Sequence, residues 1–562
     1  MCASAAHAQT ASQITQRSYA PPAKLAGGIG IVIEGQSGLD VPPGAEKLTV
    51  TLSRVEVDGG FPDLAEAEAA IRAGLAGRRV TGAEIFVAAR RLEAAYAKAG
   101  YALARVGLPP QRLVDGSPLK LIVVDGAIER VEIKDGPTPI RARIQQLLAP
   151  LVGKTHLMLA EMERRILFAG DLPGVLIRST LAPGTKLGAT VLVIEVKHQL
   201  VDEVLSYDNS LPASLGRSQI GVGADVNGAL GFGELLYLRA NGDPVFGDRG
   251  LLAEFARNRI LAAGFVAPIG VDGLSFNGEV TQARTTPLPS GGLATTDLFD
   301  RLSLRLRYAL IRSRQFDLSG QVALDVENET QNLLPDALGS AIADDRLRVL
   351  RLSGDADFPT PWGATMSAEQ VASFGLDALG ARTAAEAAAS NVPLSRQGAD
   401  ARFAKWEATV TYAQNLAEHL SVNFNAHGQT SFGAALARAE QIGVAGPGAL
   451  SAFDVGALQG DSGYVLRGEI GAPFALPQIW SGVGALATPY VFAAGGEIFL
   501  ARPTALERSR VDAGSFGGGL KLAGGQAGSL RNVTLTFEVG RQLRNDNVPA
   551  ENRFTLVAGA KF

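Results

Sequence analysis

Apolar and polar residues alternate along most of the chain, from about residue 200 to the C-terminus. The alternation occurs in segments of about ten residues, the length of a membrane-crossing strand, and Gly, Asn, Asp and Pro separate them. About sixteen segments are present, starting near Leu200, Ser218, Leu235, Ile260, Gly273, Leu302, Phe316, Leu347, Ala364, Ala401, Leu420, Gly463, Thr488, Ala513, Asn532 and Arg553. The pattern predicts a transmembrane β-barrel of about 16 antiparallel strands over residues 200–562.

The breaks between these segments alternate in length. Short breaks lie at residues 270–272, 313–314 and 418–419, and long breaks at residues 285–297, 328–344, 375–398 and 431–460. Outer-membrane barrels have short periplasmic turns and long external loops, an asymmetry that a soluble β-sandwich lacks. An even number of strands would place both ends of the barrel in the periplasm.

The last segment, residues 553–562, shows the alternation most clearly. Positions 554, 556, 558, 560 and 562 are apolar, while the other face carries Arg553, Thr555, Gly559 and Lys561. We interpret the apolar face as lipid-facing; the alternative, an edge strand of a soluble sheet, would expose an aggregation-prone surface. The terminal Phe562 resembles the sorting signal of bacterial outer-membrane proteins.

Two copies of one pattern precede the barrel. Residues 47–196 twice follow the order strand, two helices, two strands, with a spacing of about 75 residues. The first copy covers residues 47–126, where Ile85, Ala89, Leu92 and Tyr96 share one helix face, and the second covers residues 127–199. We therefore expect two small α+β domains.

The N-terminal residues predict the remnant of a secretory signal followed by a tether. Residues 1–8 resemble the end of a secretory signal, because Ala6-His7-Ala8 fits a small-residue cleavage site; an ordinary disordered terminus is the alternative. Residues 9–46 are rich in Pro and Gly and are interpreted as a tether. Cleavage would remove Cys2, the sole cysteine, and with it any disulfide chemistry.

Composition narrows the range of functions. The net charge is −4, and Lys and Arg are interspersed with Asp and Glu, so we expect no nucleic-acid surface. The five histidines lack metal-ligand or triad spacing, which also argues against a protease at the Gly-Asp-Ser-Gly of residues 460–463. A phosphate-binding Gly-rich loop is missing from the sequence. We predict no enzyme, no bound metal and no cofactor.

Several motifs resemble one protein family. Gly-Tyr-Ala-Leu-Ala-Arg at residues 100–105 and Leu-Pro-Pro-Gln at residues 108–111 resemble the first POTRA domain of two-partner secretion transporters, the TpsB family of hemolysin-activator type. Further motifs similar to that family lie at residues 171–175 in the second module and at residues 207–209 and 460–464 in the barrel. The resemblance implies two periplasmic POTRA domains before an outer-membrane barrel, with a plug helix near residues 12–17.

The resemblance also implies a function and partners. The barrel would export a large secreted exoprotein, a TpsA-type cargo, without ATP, and the cargo would add a strand to an open POTRA sheet edge. The candidate edge residues are Ala102, Arg105, Leu108, Val175, Ile177 and Leu181. Outer-membrane lipids and the barrel-assembly machinery are further expected partners. The alternatives are an assembly factor of the same superfamily, which usually has more POTRA domains, and a passive porin, which would leave both modules unexplained.

Two family motifs are missing at their aligned positions. Relatives carry Val-Arg-Gly-Tyr/Phe on the loop between strands eleven and twelve, and its arginine pairs with the aspartate of a wall motif, Phe-x-Asp-x-Gly. The aligned loop residues are Leu450, Ser451, Ala452 and Phe453, and the aligned wall residues are Phe492, Ala494 and Gly496. We expect the loop to occupy the lumen but to be held more weakly. Arg467 superficially resembles the missing arginine but falls inside predicted strand twelve.

Overall fold

The computed structural model describes residues 9–15, 31–33, 39–186, 188–245, 247–289, 293–334, 340–478, 482–526, 528–545 and 548–562. The chain divides into two compact units, which are Lys24–His198 and the combination of Met1–Ala23 with Gln199–Phe562. The expected signal remnant at residues 1–8, with Cys2, lies outside the described residues, as does most of the expected tether.

The first α+β module packs two helices on small sheets. The helices are Ala65–Leu75 and Gly82–Lys98, and the sheet strands are Val55–Asp58, Leu119–Val124 and Arg105–Gly107 in that order, with a separate pair Thr49–Thr51 and Arg79–Thr81 and 3-10 turns Ala45–Lys47 and Pro62–Leu64. Thr81 and Glu84 cap the second helix reciprocally, since each backbone N–H donates to the other side chain. Ile85, Ala89, Leu92 and Tyr96 are buried on its inner face, which confirms the predicted helix face.

The second module repeats this plan with a four-stranded sheet. Its elements are the strand Ala127–Lys134, the helices Thr138–Leu148 and Leu159–Gly170, the 3-10 turn Ala149–Leu151, and the strands Val175–Pro183 and Ala189–His198. The strand Ile31–Ile33, which belongs to the predicted tether, pairs in parallel with Val175–Pro183 through residues 179–181. That region of the tether is therefore part of a sheet.

Among the described helices, none is both long and apolar enough to cross a bilayer.

The second unit is a closed antiparallel β-barrel, as predicted. Its strands are Val201–Asp208, Gln219–Asn227, Leu235–Gly242, Asn258–Ile269, Leu274–Thr285, Ala294–Arg312, Asp317–Leu334, Ala341–Pro359, Thr365–Gly375, Ala404–Ala417, Leu420–Thr430, Ser462–Gly471 continued by Phe474–Leu476, Val483–Phe499, Arg510–Gln526, Asn532–Arg544 and Asn552–Lys561. Strand twelve is broken at Ala472-Pro473, because proline has no N–H for the ladder, but both pieces pair with strand thirteen. Counted with this break, the barrel has the predicted sixteen strands.

The first and last strands close the barrel, and the two faces of its wall differ. Closure pairs Val204 with Lys561 and continues to Asp208 opposite Val557. On strand six, Leu302 and Leu304 are 40% and 39% exposed, whereas the intervening Ser303 is fully buried. Apolar side chains therefore cover the outer wall, which contacts lipid. Polar side chains face the lumen, where they bond to one another and are not exposed to lipid.

Some strands start earlier than the alternation predicted. Strand six begins at Ala294 rather than near Leu302, and strand eight begins at Ala341 rather than near Leu347. The pairing of strand six with strand seven extends to Ala294 opposite Leu334. Hydrophobic alternation marks the part of a strand that crosses the bilayer, whereas backbone pairing continues beyond it. Outside the strands the unit contains the helices Ala11–Ile14 and Ala384–Ser390, the 3-10 turns Ala213–Leu215 and Arg438–Glu440, and the two-stranded pair Ile442–Gly443 and Gln459–Gly460.

Candidate functional site

The lumen loop, residues 431–461 between strands eleven and twelve, folds into the barrel. Its apolar residues form a buried cluster with side chains of the barrel wall; the cluster contains Ile442, Val444, Leu450, Phe453 and Leu458 of the loop and Val465 and Ile498 of strands twelve and thirteen. The loop also bonds to side chains of strands eight, fifteen and sixteen. The expectation that the loop occupies the lumen therefore agrees with the structure.

Two buried carboxylates, those of Glu440 and Asp461, hold the loop where it joins the barrel wall. We call these two residues the base of the loop. The Glu440 side chain is completely buried, and its oxygens lie 2.6 Å from Arg351 Nη2 and 2.7 Å from Lys405 Nζ. Burial by itself would raise the pKa of Glu440, but Arg351 and Lys405 outweigh burial and lower this pKa well below its usual range. The base is thus held by charges that would be costly to separate.

Asp461 completes the base from the other end of the loop. Its Oδ1 accepts a hydrogen bond of 3.0 Å from the backbone N–H of Leu436, and its Oδ2 accepts one of 2.8 Å from the N–H of Ala501. Arg396 Nη2 lies 3.4 Å from the same carboxylate. One side chain therefore ties both the start of the lumen loop and the loop after strand thirteen to the start of strand twelve.

The tip of the loop, residues 450–454, contains the four predicted motif residues. Leu450, Ser451, Ala452 and Phe453 are all nearly fully buried. Wall side chains donate to backbone carbonyls of the tip: Gln542 Nε2 to Ala452 O at 2.8 Å, and Thr555 Oγ1 to Ser451 O at 3.3 Å. The guanidinium of Arg544 lies 5.2 Å from the Phe453 ring centroid, and Asp454 forms an ion pair with Arg553.

An arginine does contact the tip, but it belongs to the barrel wall. Arg467 Nη1 donates to Ser451 Oγ at 2.8 Å and to Ala449 O at 3.2 Å. Arg467 lies inside strand twelve, as predicted, yet its side chain points into the lumen and reaches the loop. The tip thus has no arginine of its own, as its aligned residues indicate, and an arginine of the wall contacts it instead.

Two of the predicted wall residues, Phe492 and Ala494, lie beside this arginine. Arg467 is paired across the ladder with Ala494, and its guanidinium carbon lies 3.9 Å from the Phe492 ring centroid. At Gly496, a Cβ atom would lie 2.7 Å from the Tyr464 carbonyl oxygen, so a side chain would force the wall to shift. The charge of Arg467 is balanced by Glu538 at 2.5 Å and Glu469 at 2.9 Å. The sequence did contain a signal for this cluster. Arg467 and Glu469 are two residues apart on strand twelve, so both side chains face the lumen.

A short N-terminal helix also lies in the lumen. The predicted plug covered residues 12–17; the described helix is Ala11–Ile14, and residues 16 and 17 lie outside the described residues. Its first backbone N–H groups donate to buried carboxylates of the wall, Ala11 to Asp297 at 2.8 Å and Ser12 to Glu329 at 2.9 Å. Ala11 and Ile14 pack in an apolar cluster with Phe299.

The helix and the lumen loop contact each other. Gln9 Nε2 donates to Val455 O at 2.8 Å, and Gln13 Nε2 donates to Gln459 Oε1 at 2.5 Å. Each segment is therefore fixed both to the wall and to the other segment. None of these contacts belongs to the hydrogen-bond ladder between the barrel strands.

The first predicted cargo edge is short and partly occupied. Arg105 lies in the edge strand Arg105–Gly107, whereas Ala102 and Leu108 flank it. The N–H of Val106 donates to Glu93 Oε2 at 2.9 Å, so a hydrogen-bonding group of this edge already has a partner. Such protection is typical of natural sheet edges.

The second predicted edge is corrected by the structure. The strand that contains Val175, Ile177 and Leu181 pairs with Ala189–His198 on one side, and on the other side the chain's own Ile31–Ile33 covers residues 179–181. Leu181 thus lies opposite Ile33 and is not on an open edge. On the side of the strand that Ile31–Ile33 covers, residues 175–178 do not pair with it.

The C-terminal Phe562 joins the closing seam. Its N–H donates to Glu203 O at 3.0 Å, and the Glu203 N–H donates back to Phe562 O at 3.3 Å. The aromatic side chain is 45% exposed.

Comparisons with known proteins match both units. Residues 188–522 match the family model described as haemolysin secretion/activation protein ShlB/FhaC/HecB, and residues 50–126 match that of the ShlB-type POTRA domain. The chain is 25% identical over 164 residues to the heme/hemopexin transporter protein HuxB of Haemophilus influenzae strain 86-028NP; the alignment covers 29% of each protein, so the chain spans less than a third of the curated relative it matches.

Solved structures share the whole fold. CdiB from Escherichia coli is 18% identical, with a TM-score of 0.71 over 93% of both chains. CdiB from Acinetobacter baumannii is 16% identical, with a TM-score of 0.61 over 92% of this chain and 90% of that chain. At these identities the likeness shows the fold, which is a closed barrel with POTRA domains.

Proposed function

This chain belongs to the haemolysin secretion/activation protein family ShlB/FhaC/HecB, and from that premise we propose that it exports an unfolded partner exoprotein through its barrel without ATP. Its barrel lies in the bacterial outer membrane and its POTRA domains in the periplasm. The observation that carries the proposal is a closed barrel whose lumen is filled by two segments held by side-chain contacts and by hydrogen bonds outside the strand ladder. Such segments can leave the lumen without breaking the strand ladder.

The energy for export would come from the cargo. The sequence contains no phosphate-binding Gly-rich loop, and the periplasm offers little ATP. Folding of the exoprotein outside the cell would make its passage irreversible. The same family includes transporters, and this supports a transport role for the chain over an enzymatic one.

Secretion itself tests the proposal. A candidate exoprotein is co-expressed with the full chain, and the culture supernatant is compared with that of cells lacking the chain. We expect the exoprotein in the supernatant only when the chain is present. An unchanged supernatant, together with loss of other barrels from the outer membrane on deletion, would instead favour the alternative function of assembly factor.

Cargo docking by strand addition remains our proposal for the second POTRA module. A proline at Ile177 or Arg178 removes a backbone donor from the strand Val175–Pro183, and we expect secretion to stop while the barrel still assembles. Because Ile31–Ile33 already covers residues 179–181, an added strand would use residues 175–178 or displace Ile31–Ile33. Protease resistance of the module must be unchanged in the variant, and normal export by such a variant would count against docking here.

We further propose that the loop tip is held less firmly than it would be by an ion pair between the tip motif and the wall motif. The variant Ser451→Arg with Ala494→Asp restores such a pair beside Arg467, which is paired with Ala494. We expect single-channel recordings to show fewer openings. The single change Ser451→Arg is the matched control, since it places two guanidinium groups together without a new carboxylate. Unaltered conductance and gating noise in the double variant would exclude this idea.

A further inference from the structure

A groove of about 900 Å³ crosses the outer wall of the barrel over strands two to seven. Along its floor the outward-facing positions carry small residues, including Ala240 on strand three and Ala263 on strand four. Larger apolar side chains surround them: Ala263 is paired with Leu238 and with Val280, which are 62% and 56% exposed. The groove is thus a depression in the apolar wall that faces lipid.

Two arginines stand at the external end of this groove. Arg259 and Arg284 are directly paired on strands four and five, and each lies two residues beyond a groove residue on the same face, Leu261 and Gln282 respectively. This end of the strands lies next to the long loops and opposite to the end at which the first strand begins and the last strand ends. It therefore corresponds to the external membrane surface, where lipid head groups lie.

The arginine pair lacks an anion. Arg259 Nη1 donates to the carbonyl oxygen of Ala253 at 3.2 Å, and Arg284 Nη1 donates to that of Glu254. Within the described part of the chain, no ion pair includes either guanidinium. Like charges directly opposite each other in a sheet are destabilising, so an anion placed between them would stabilise both.

We propose that the groove and the arginine pair bind one phosphorylated lipid of the external leaflet. Its phosphate would contact Arg259 and Arg284, because planar guanidinium groups match phosphate oxygens, and an acyl chain would lie in the groove. The groove is continuous with the lipid-facing wall of an outer-membrane barrel, so its occupant shares the chemistry of the surrounding membrane. Asp300, which accepts from Gln282 Nε2 at 3.0 Å, lies two register positions closer to the bilayer centre than the arginine pair. The negative charge of Asp300 would repel a phosphate and so favour its binding beside Arg259 and Arg284.

Native mass spectrometry of the full chain, released from detergent, tests the site. The probes are lipid A, which is a phosphorylated and acylated disaccharide, its dephosphorylated form, and inorganic phosphate. We expect retention of one lipid A, with dephosphorylated lipid A retained about tenfold less and inorganic phosphate unable to displace the lipid. Arg259→Ala with Arg284→Ala should abolish the preference for phosphate, and the corresponding double Lys variant, which keeps the charges but loses the planar donors, should keep only part of it.

The acyl-chain contact has its own matched pair of variants. Ala263→Trp fills the groove and should reduce lipid A retention, whereas Leu466→Trp changes an outward residue on strand twelve, which is 44% exposed, and should leave retention unchanged. Heat-modifiable migration of each variant on a gel verifies that the barrel has folded. Equal retention of both lipid forms, retention by the double Ala variant, or dimers in place of lipid adducts would each overturn the proposal.

Discussion

The base and the tip of the lumen loop are held by different kinds of contact. At the base, the buried carboxylate of Glu440 lies between the cations of Arg351 and Lys405. At the tip, the loop offers the Ser451 hydroxyl and backbone carbonyls to the donors Arg467 and Gln542, and its ion pair, Asp454 with Arg553, has an aspartate that is 31% exposed. Removing one partner of a buried ion pair costs more than removing one neutral hydrogen-bond partner. The base should therefore act as a fixed anchor and the tip as the part that releases first.

The largest expected effect follows from removing the charge at the base. Glu440→Gln leaves Arg351 and Lys405 without their shared carboxylate, and we expect the docked loop to lose on the order of 3–5 kcal/mol. Hydrogen exchange of the loop amides should rise steeply, and single-channel conductance should increase. Glu386→Gln, which changes a carboxylate in the external helix Ala384–Ser390, is the control and should leave lumen exchange unchanged.

The same carboxylate sets a pH dependence. Because the pKa of Glu440 is lowered in the folded protein, its stabilisation is complete above the ordinary carboxyl pKa and is lost as the pH falls toward the lowered value. Loop protection in the unmodified chain should thus persist at neutral pH and decline only in strong acid. The Glu440→Gln variant should lack this decline; an identical acid profile in both proteins would assign it to another group.

A smaller effect is expected at the tip. Ser451→Ala removes the hydroxyl that accepts from Arg467, and a hydrogen bond to a charged group is worth about 1.5–3 kcal/mol. Exchange should increase in residues 449–454 while amides near Glu440 stay protected. If both ends of the loop exchange together in this variant, the loop releases as one piece and the contrast between base and tip fails.

The smallest effect is expected at the N-terminal helix. Thr285→Val keeps the shape of a fully buried side chain but removes the hydroxyl that donates to Gln9 O at 3.0 Å, a loss of about 0.5–1.5 kcal/mol. Exchange should rise in residues 9–14 and not in the loop base. A larger change at the base than at the helix would show that the helix supports the loop rather than the reverse.

The sequence by itself determined the architecture of the barrel. Alternation with a period of two is a local property, because neighbouring side chains of a strand must enter lipid and lumen in turn. It was sufficient to place strand three at Leu235, strand eleven at Leu420 and strand fifteen at Asn532, where the structure has them. Helical spacing was sufficient in the same way for the buried face of Gly82–Lys98.

Only the tertiary structure decided how the lumen is filled. Arg351 and Glu440 are 89 residues apart in sequence, and Arg467 and Glu538 are 71 apart, so neither pair leaves a local pattern. Sequence comparison with the family motifs located the loop tip and the loss of its arginine, but it did not predict that Arg467 of the wall would contact the tip. Folding of the loop into the lumen brings Ser451 to Arg467, and addition of Ile31–Ile33 to the POTRA sheet covers part of a predicted open edge. Such contacts depend on which strands curve toward one another, and a period along the chain does not encode that.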